Sequence, residues 1–231
     1  MKVAIITGAS RGLGLALARE LATRDWALVL DGRGSDALHE VEQELAPLTT
    51  VAAIAGDIAD PVHRRALVHQ AEELGGLDAL INNASHLGPS PQPRLADYSL
   101  AELRRVFEVN TFAPLAMVQA ALPLLRSDGR IIDITSDAAV EAYEGWGGYG
   151  SSKAALEQLT AVLGAEHPSL RVYRVDPGDM RTQMHQEAFP GEDISDRPPP
   201  EVAVPGLVEL LEGELPSGRY HAQALVRAVA S

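Results

Sequence analysis

The 231-residue chain contains no cysteine. That absence excludes disulfides, thiolate metal sites, iron–sulfur clusters and thiol nucleophiles, and it fits a reducing compartment. Basic residues are also scarce: 19 Lys and Arg stand against 32 Asp and Glu, a formal net charge of -13 at pH 7, and no run of Lys or Arg occurs. Nucleic-acid backbones and anionic membranes require a basic face, so neither is expected as a partner. Long apolar runs are missing too, and nothing approaches the roughly 20 residues of a membrane span. The opening apolar stretch, Met1 to Ile6, is too short for a signal peptide and leads directly into a glycine-rich turn. A soluble, cytoplasmic protein is expected. Apolar residues make up 46% of the chain, enough at this length for one sizeable core and too few for two, so a single domain is expected.

What the chain does have is alternation. Short apolar runs at 3–7, 27–30, 50–55, 77–82, 130–135 and 170–175 read as strands. Longer periodic stretches at 13–23, 36–45, 62–74, 100–125 and 151–163 read as helices. Strand and helix taking turns imply parallel strands joined by crossover helices on both sheet faces, an α/β fold with a doubly wound, Rossmann-like parallel sheet. The character changes after about residue 178, where Met180, Met184, Phe189 and the run Pro198-Pro199-Pro200 are set among charges. The segment from about 179 to 205 is expected to be a substrate lid.

Two motifs point to chemistry. Thr7-Gly8-Ala9-Ser10-Arg11-Gly12-Leu13-Gly14 follows the first strand and opens the first helix. Its glycines permit a tight turn and close approach to a pyrophosphate, while the helix N-terminus offers unpaired N–H groups and a positive dipole end. It lacks the Gly-Lys-Ser/Thr of a nucleoside-triphosphate loop. In Tyr149-Gly150-Ser151-Ser152-Lys153, the tyrosine and lysine stand about one helical turn apart and share a face. A lysine cation beside a phenol lowers its pKa from about 10, making the pair suited to acid/base chemistry near neutrality.

In order along the chain stand Thr7–Gly14, Asp57, Asn82-Asn83-Ala84, Asn110, Ser136, Tyr149 with Lys153, and Pro177-Gly178 followed by Thr182. By this succession the chain resembles the short-chain dehydrogenase/reductase family. The resemblance implies an NAD(P)-dependent oxidoreductase that interconverts a ketone or aldehyde and an alcohol. It makes Tyr149 the acid/base, with Lys153 lowering its pKa and holding the nicotinamide ribose. Ser136 would hydrogen-bond the substrate oxygen, and Asn110 would hold a water linking Lys153 to solvent. Cofactor contacts carried over in the same way are Thr7, Gly8, Ser10, Arg11, Gly12, Leu13, Gly14, Arg33, Asp57, Ile58, Asn83, Ala84, Pro177, Gly178 and Thr182, besides Tyr149 and Lys153. Taken singly, Ser136 reads as a strand end or helix cap, Asn110 as a kink in a helix, and Asp57 as a cap.

Cofactor preference rests on the end of the second strand, Leu30-Asp31-Gly32-Arg33. An acidic residue there hydrogen-bonds a ribose 2′-hydroxyl, and arginine accommodates a 2′-phosphate. By resemblance the usual acidic position aligns with Gly32, leaving Arg11 and Arg33 to favour NADP, with NAD as the alternative. Asp31 would point to the opposite face of a regular strand. Ser85 stands where the family has glycine, and Asp176 where it more often has Asn or Arg. A short last strand is expected around residues 216–220, and a homodimer or homotetramer is compatible with the family. His86 and Trp146 are candidate substrate contacts. His185 and Glu187 lack a further spaced ligand, so no metal is expected. Two other readings of the same motifs are a catalytically quiet NADP(H)-binding regulator and an epimerase or dehydratase using transient hydride transfer.

Overall fold

The computed structural model describes residues 1–229. Seven strands, β1 (Lys2–Ile6), β2 (Trp26–Gly32), β3 (Val51–Ala55), β4 (Leu77–Asn82), β5 (Leu125–Ile134), β6 (Arg171–Asp176) and β7 (Gly218–His221), form one parallel sheet in the order β3-β2-β1-β4-β5-β6-β7. The crossovers carry α1 (Gly12–Ala22), α2 (Ser35–Leu45), α3 (Pro61–Glu73), α4 (Leu100–Phe107), α5 (Ala113–Ala121) and α6 (Gly147–Glu166). Beyond β6 come α7 (Gln183–Ala188), α8 (Val204–Glu212) and α9 (Ala222–Val229). Among the described residues no helix is long and apolar enough to cross a membrane.

Period-two alternation along the strands splits the core into two layers. Ala4 and Ile6 of β1 join Leu17 and Leu21 of α1 and Leu207 and Leu211 of α8 on one face. Val3 and Ile5 turn the other way and join Leu67 of α3, Met117 of α5 and Leu163 of α6. Burying one such side chain contributes about 1.5–3 kcal/mol, so strands apolar on both faces are stable only between two helical layers. The strand order reverses at β1, which lies between β2 and β4. The crevice above the carboxyl ends of the strands is therefore at that switch point.

The expected helix over 100–125 is broken. It forms α4, then a π-helical turn at Glu108–Phe112, then α5. Pro114 has no N–H to close an α-helical bond onto residue 110, which widens the turn there. Pro123 ends α5 soon after. The fifth strand begins at Leu125, not 130, because Leu77 pairs with Leu125 and Ala79 with Arg130, with a bulge absorbing the intervening residues. The short last strand forms as expected, at Gly218–His221.

Candidate active site

The glycine-rich loop is held from behind. Gly8 has φ +66°, a conformation that glycine adopts without strain, and a Cβ on Gly14 would lie 2.4 Å from the Gly8 carbonyl oxygen. Thr7 Oγ1 donates to the Ile81 carbonyl at 3.3 Å and accepts from the Asn83 and Ala84 amides at 3.0 Å each. Asn83 Nδ2 in turn donates to the Thr7 and Gly8 carbonyls at 2.8 and 3.0 Å. These side chains staple the β1 loop to the β4 loop. Leu13 and Ile58 put their side chains into the two cores, leaving only their backbones to face the crevice. Arg11 caps α1 in an extended conformation with no side-chain cap bond, so the first helical amides remain available. Its guanidinium reaches across to Gln183 Oε1 of α7.

Asp31 is turned inward and buried, as strand alternation predicted. Its Oδ2 accepts from the Gly8 amide at 3.1 Å, and its Oδ1 lies 2.6 Å from His63 Nε2 of α3. A Cβ on Gly56 would lie 2.3 Å from the His63 ring, so the glycine makes room for this pair. Gly32 follows, against Ser10, and then Arg33 is exposed with no ion-pair partner within salt-bridge distance among the described residues. Across the crevice Asp57 accepts from the Ala59 amide at 3.0 Å and pairs with Arg105 at 2.6 Å. Burial acts to raise its carboxyl, but the Ala59 amide, Arg105 and Arg33 outweigh that and hold it below the ordinary value.

Tyr149 and Lys153 lie on one face of α6, both buried, with Nζ 5.6 Å from the centre of the phenol ring. Lys153 Nζ donates to the Ile134 carbonyl at 2.8 Å. Burial lowers this lysine to about 8, opposed by the carboxylate of Asp133. The expectation that Lys153 depresses the phenol is not met. Burial pushes Tyr149 up to about 12; Ser85 pulls it down, while Asp176 and Asp137 add to the rise. Desolvation of the pair outweighs their mutual interaction. Ser136 ends β5, donates to Asp137 Oδ1 at 2.8 Å and accepts from the Ala138 amide at 3.2 Å. It lines one pocket with Tyr149, Pro177, Gly178 and Thr182.

Asn110 is buried in the π-helical turn. Its Oδ1 accepts from the His86 amide at 2.7 Å and the Ser85 hydroxyl at 3.2 Å, while Nδ2 donates to the His86 carbonyl at 2.9 Å and Ser152 Oγ at 3.0 Å. The side chain is saturated by protein and fastens the β4 loop to α6, while Pro114 supplies no N–H to the Asn110 carbonyl, which is where the expected water would be held. Thr182 caps α7, accepting from the His185 amide at 3.2 Å, and its methyl lies 3.6 Å from where a Gly12 Cβ would stand. Trp146 lines the pocket edge-on to Tyr149 at 5.8 Å, and His86 is half-buried in the β4 loop.

The family model for short chain dehydrogenases matches residues 2–193. The chain belongs to the short-chain dehydrogenase/reductase family. It is 34% identical over 196 residues to benzil reductase ((S)-benzoin forming) of Saccharomyces cerevisiae, covering 80% of this chain and 74% of that one. A short chain dehydrogenase from Salmonella enterica serovar Typhi superposes with a TM-score of 0.88 at 28% identity, over 96% of each chain. An alcohol dehydrogenase from the archaeon Thermococcus sibiricus, complexed with 5-hydroxy-NADP, superposes with a TM-score of 0.83 at 30% identity, over 96% of this chain and 95% of that one. The protein is an NAD(P)-dependent oxidoreductase of this family.

Several residues of this short-chain dehydrogenase escape a reading by motif. Arg219 of β7 donates through Nε to Glu157 at 3.0 Å and through Nη2 to the Ser136 carbonyl at 3.2 Å and Asp176 Oδ2 at 3.4 Å. Glu157 also accepts from Thr135 at 2.8 Å. One guanidinium thus joins the ends of β5 and β6 to α6. Asp133, beneath Lys153, accepts from Asn82 and Thr160 at 2.7 and 2.6 Å, and burial raises its carboxyl. Glu157 had a local signal, since it follows Lys153 by one helical turn on the buried face. Arg219 had none, because only the sheet order brings it to Ser136.

Proposed function

We propose that this enzyme is an NADP(H)-preferring carbonyl reductase in which Tyr149 exchanges the proton with the substrate oxygen. The observation that carries the reading is the convergence of Tyr149 and Ser136 at one pocket, with Lys153 Nζ buried 5.6 Å from the Tyr149 ring. The cradle fits a dinucleotide: the α1 amides are uncapped, and the close approach of Gly8 to Gly14 excludes a side chain at Gly14. Arg33 directly follows β2 and is exposed, and Arg11 adjoins Ser10, the glycine-loop residue that packs on Gly32, while Asp31, committed to Gly8 and His63, has no carboxylate facing a ribose. That supports NADP over NAD.

The nicotinamide, when bound, supplies or accepts the hydride. Burial keeps the Tyr149 phenol protonated at neutral pH, the form that donates to the oxygen of a carbonyl under reduction. Lys153 holds its ammonium below that ring, fixed by the Ile134 carbonyl. Ser136 Oγ, now donating to Asp137, must turn toward the substrate oxygen to stabilise its developing charge. The segment from about 179 to 205 acts as the lid: α7 lies across the glycine loop, and Ser90 Oγ donates to the Glu187 carbonyl at 2.6 Å. Trp146 gives the pocket an aromatic wall, with Phe189 packed 5.9 Å from its ring, and the yeast relative is named for benzil, a diaryl diketone. Aryl ketones are accordingly the substrate class we propose.

Tyr149→Phe is expected to abolish turnover of an aryl ketone while leaving NADPH affinity within about threefold. Wild-type turnover by that variant overturns the assignment of Tyr149. In a fluorescence titration NADPH is expected to bind more tightly than NADH; tighter NADH binding overturns the roles given to Arg11 and Arg33.

A further inference from the structure

The pocket holding Ser136 and Tyr149 is covered by α7, which presents two kinds of surface to it. One is apolar and flat. Phe189 lies 5.9 Å from Trp146, whose ring meets Tyr149 at 5.8 Å, and Met184 and Ala188 pack against Leu87 beside them. Ring separations of this size suit offset or edge-to-face contact with a further aryl ring.

The other surface is His185. Its ring lies 4.9 Å from Phe189 and lines the same pocket, with Nδ1 4.0 Å from an Asp179 carboxylate oxygen. Its Nε2 is sealed from solvent and has no hydrogen-bond partner among the described residues. Protein interiors pair nearly all such atoms, so an unpaired ring nitrogen on a side chain that lines the pocket marks a bond left for a ligand to complete. The reacting oxygen is already assigned to Tyr149 and Ser136. His185 therefore addresses a different oxygen, held in the one pocket that it lines with Tyr149 and Ser136.

We infer that the enzyme selects aryl ketones bearing a second oxygen on the neighbouring carbon, a 1,2-diketone or α-hydroxy ketone, and that His185 Nε2 hydrogen-bonds this second oxygen. The inference rests on the proposed role of Tyr149 at the first. At 4.0 Å from Asp179, Nδ1 is not hydrogen-bonded, so the neutral ring is free to carry its proton on Nε2 and donate to a carbonyl, or to carry it on Nδ1 and accept from a hydroxyl at Nε2.

The test compares benzil with deoxybenzoin, which has the same two phenyl rings and a single carbonyl, using the full chain with NADPH. Benzil is intrinsically more electrophilic, so the quantity read is the change between proteins in the ratio of the two kcat/KM values. His185→Leu is expected to lower the benzil-to-deoxybenzoin ratio about tenfold, the worth of one hydrogen bond to a neutral partner. His185→Gln, which keeps a donor and an acceptor, is expected to recover part of it. An unchanged ratio in His185→Leu, whether both substrates fall together or neither falls, overturns the inference and reduces His185 to lid packing. Turnover of aliphatic carbonyls but of neither aryl ketone by the wild-type chain overturns the aryl assignment. Tyr149→Phe keeps the two readings apart: failure of the Tyr149 role appears as surviving turnover of both ketones, and failure of the His185 role appears only in the ratio.

Discussion

Replacing Arg219 with methionine removes the cation that joins three strands and a helix around the reacting groups. Glu157 and Asp176 have side chains only 10% and 7% exposed, and in the variant both lose their guanidinium partner. Breaking a buried pair costs about 3–5 kcal/mol because it strands a buried charge. Arg219 itself is 30% exposed, so water reaches the vacated space and the figure scales to about 2–3 kcal/mol. At about 2–4 °C per kcal/mol for a chain of this size, Tm should fall by about 4–12 °C. The effect on catalysis is separate. Asp176 already raises the Tyr149 phenol, and without the neighbouring guanidinium its charge acts on the ring unopposed. The Ser136 carbonyl also loses its donor, so the hydroxyl that meets substrate is held less firmly. Together these are expected to lower kcat about tenfold or more, as small misplacements of reacting groups do. Thermal melts and steady-state kinetics on the same preparations separate the two effects. Adding Glu157→Gln to Arg219→Met removes one stranded charge and should restore much of Tm but little of kcat, because Asp176 and the Ser136 carbonyl still lack their partner. A single variant melting within about 1 °C of wild type, with kcat within about twofold, refutes the reasoning.

His63→Ala takes away the ring that fixes Asp31 beneath the Gly8 amide, so NADPH Kd should rise about tenfold by fluorescence titration; an unchanged Kd would show that the loop needs no such brace. Lys153 gives a pH signature, because burial lowers it to about 8 from an unfolded value of 10.5, so between those values the unfolded chain holds a proton that the folded chain has released. Stability should therefore rise with pH from about 8 toward 10.5, with Tyr149, raised from 10.0 to about 12, opposing the rise above pH 10. Urea unfolding measured across pH 7.5–10, set beside Lys153→Met, tests this directly, and an identical slope in the variant would refute the assignment.

The architecture was legible because it depends on local periodicity. Val3 and Ile5 against Ala4 and Ile6 already specify two buried faces. The long helix was misread because Pro114 and Asn110 act jointly: one withholds an amide, and the other draws its side-chain bonds from the β4 loop and α6. Neither signal is visible in helical periodicity. The end of β2 was only half legible. Alternation turned Asp31 inward, but the partner that retains it there, His63, lies on another helix and had no mark in the sequence.

The acidity of the chain has an internal side as well. Asp133, Glu157 and Asp176 are buried around Tyr149 and Lys153, answered by Lys153 itself and by Arg219. Helical spacing correctly put phenol and ammonium on one face, and from spacing alone the cation should have dominated. Spacing carries no information about solvent, however, and burial acts on both groups in the direction that removes charge: it keeps the phenol protonated and makes the ammonium easier to discharge. Burial thus keeps the phenol in its protonated form, the one the proposed reduction uses. Lowering it further depends on positive charge brought in with the cofactor, or on shielding of Asp176 and Asp137, and for Asp176 the shield is Arg219. The last strand therefore bears on the proton chemistry of a helix to which it is connected only through the sheet.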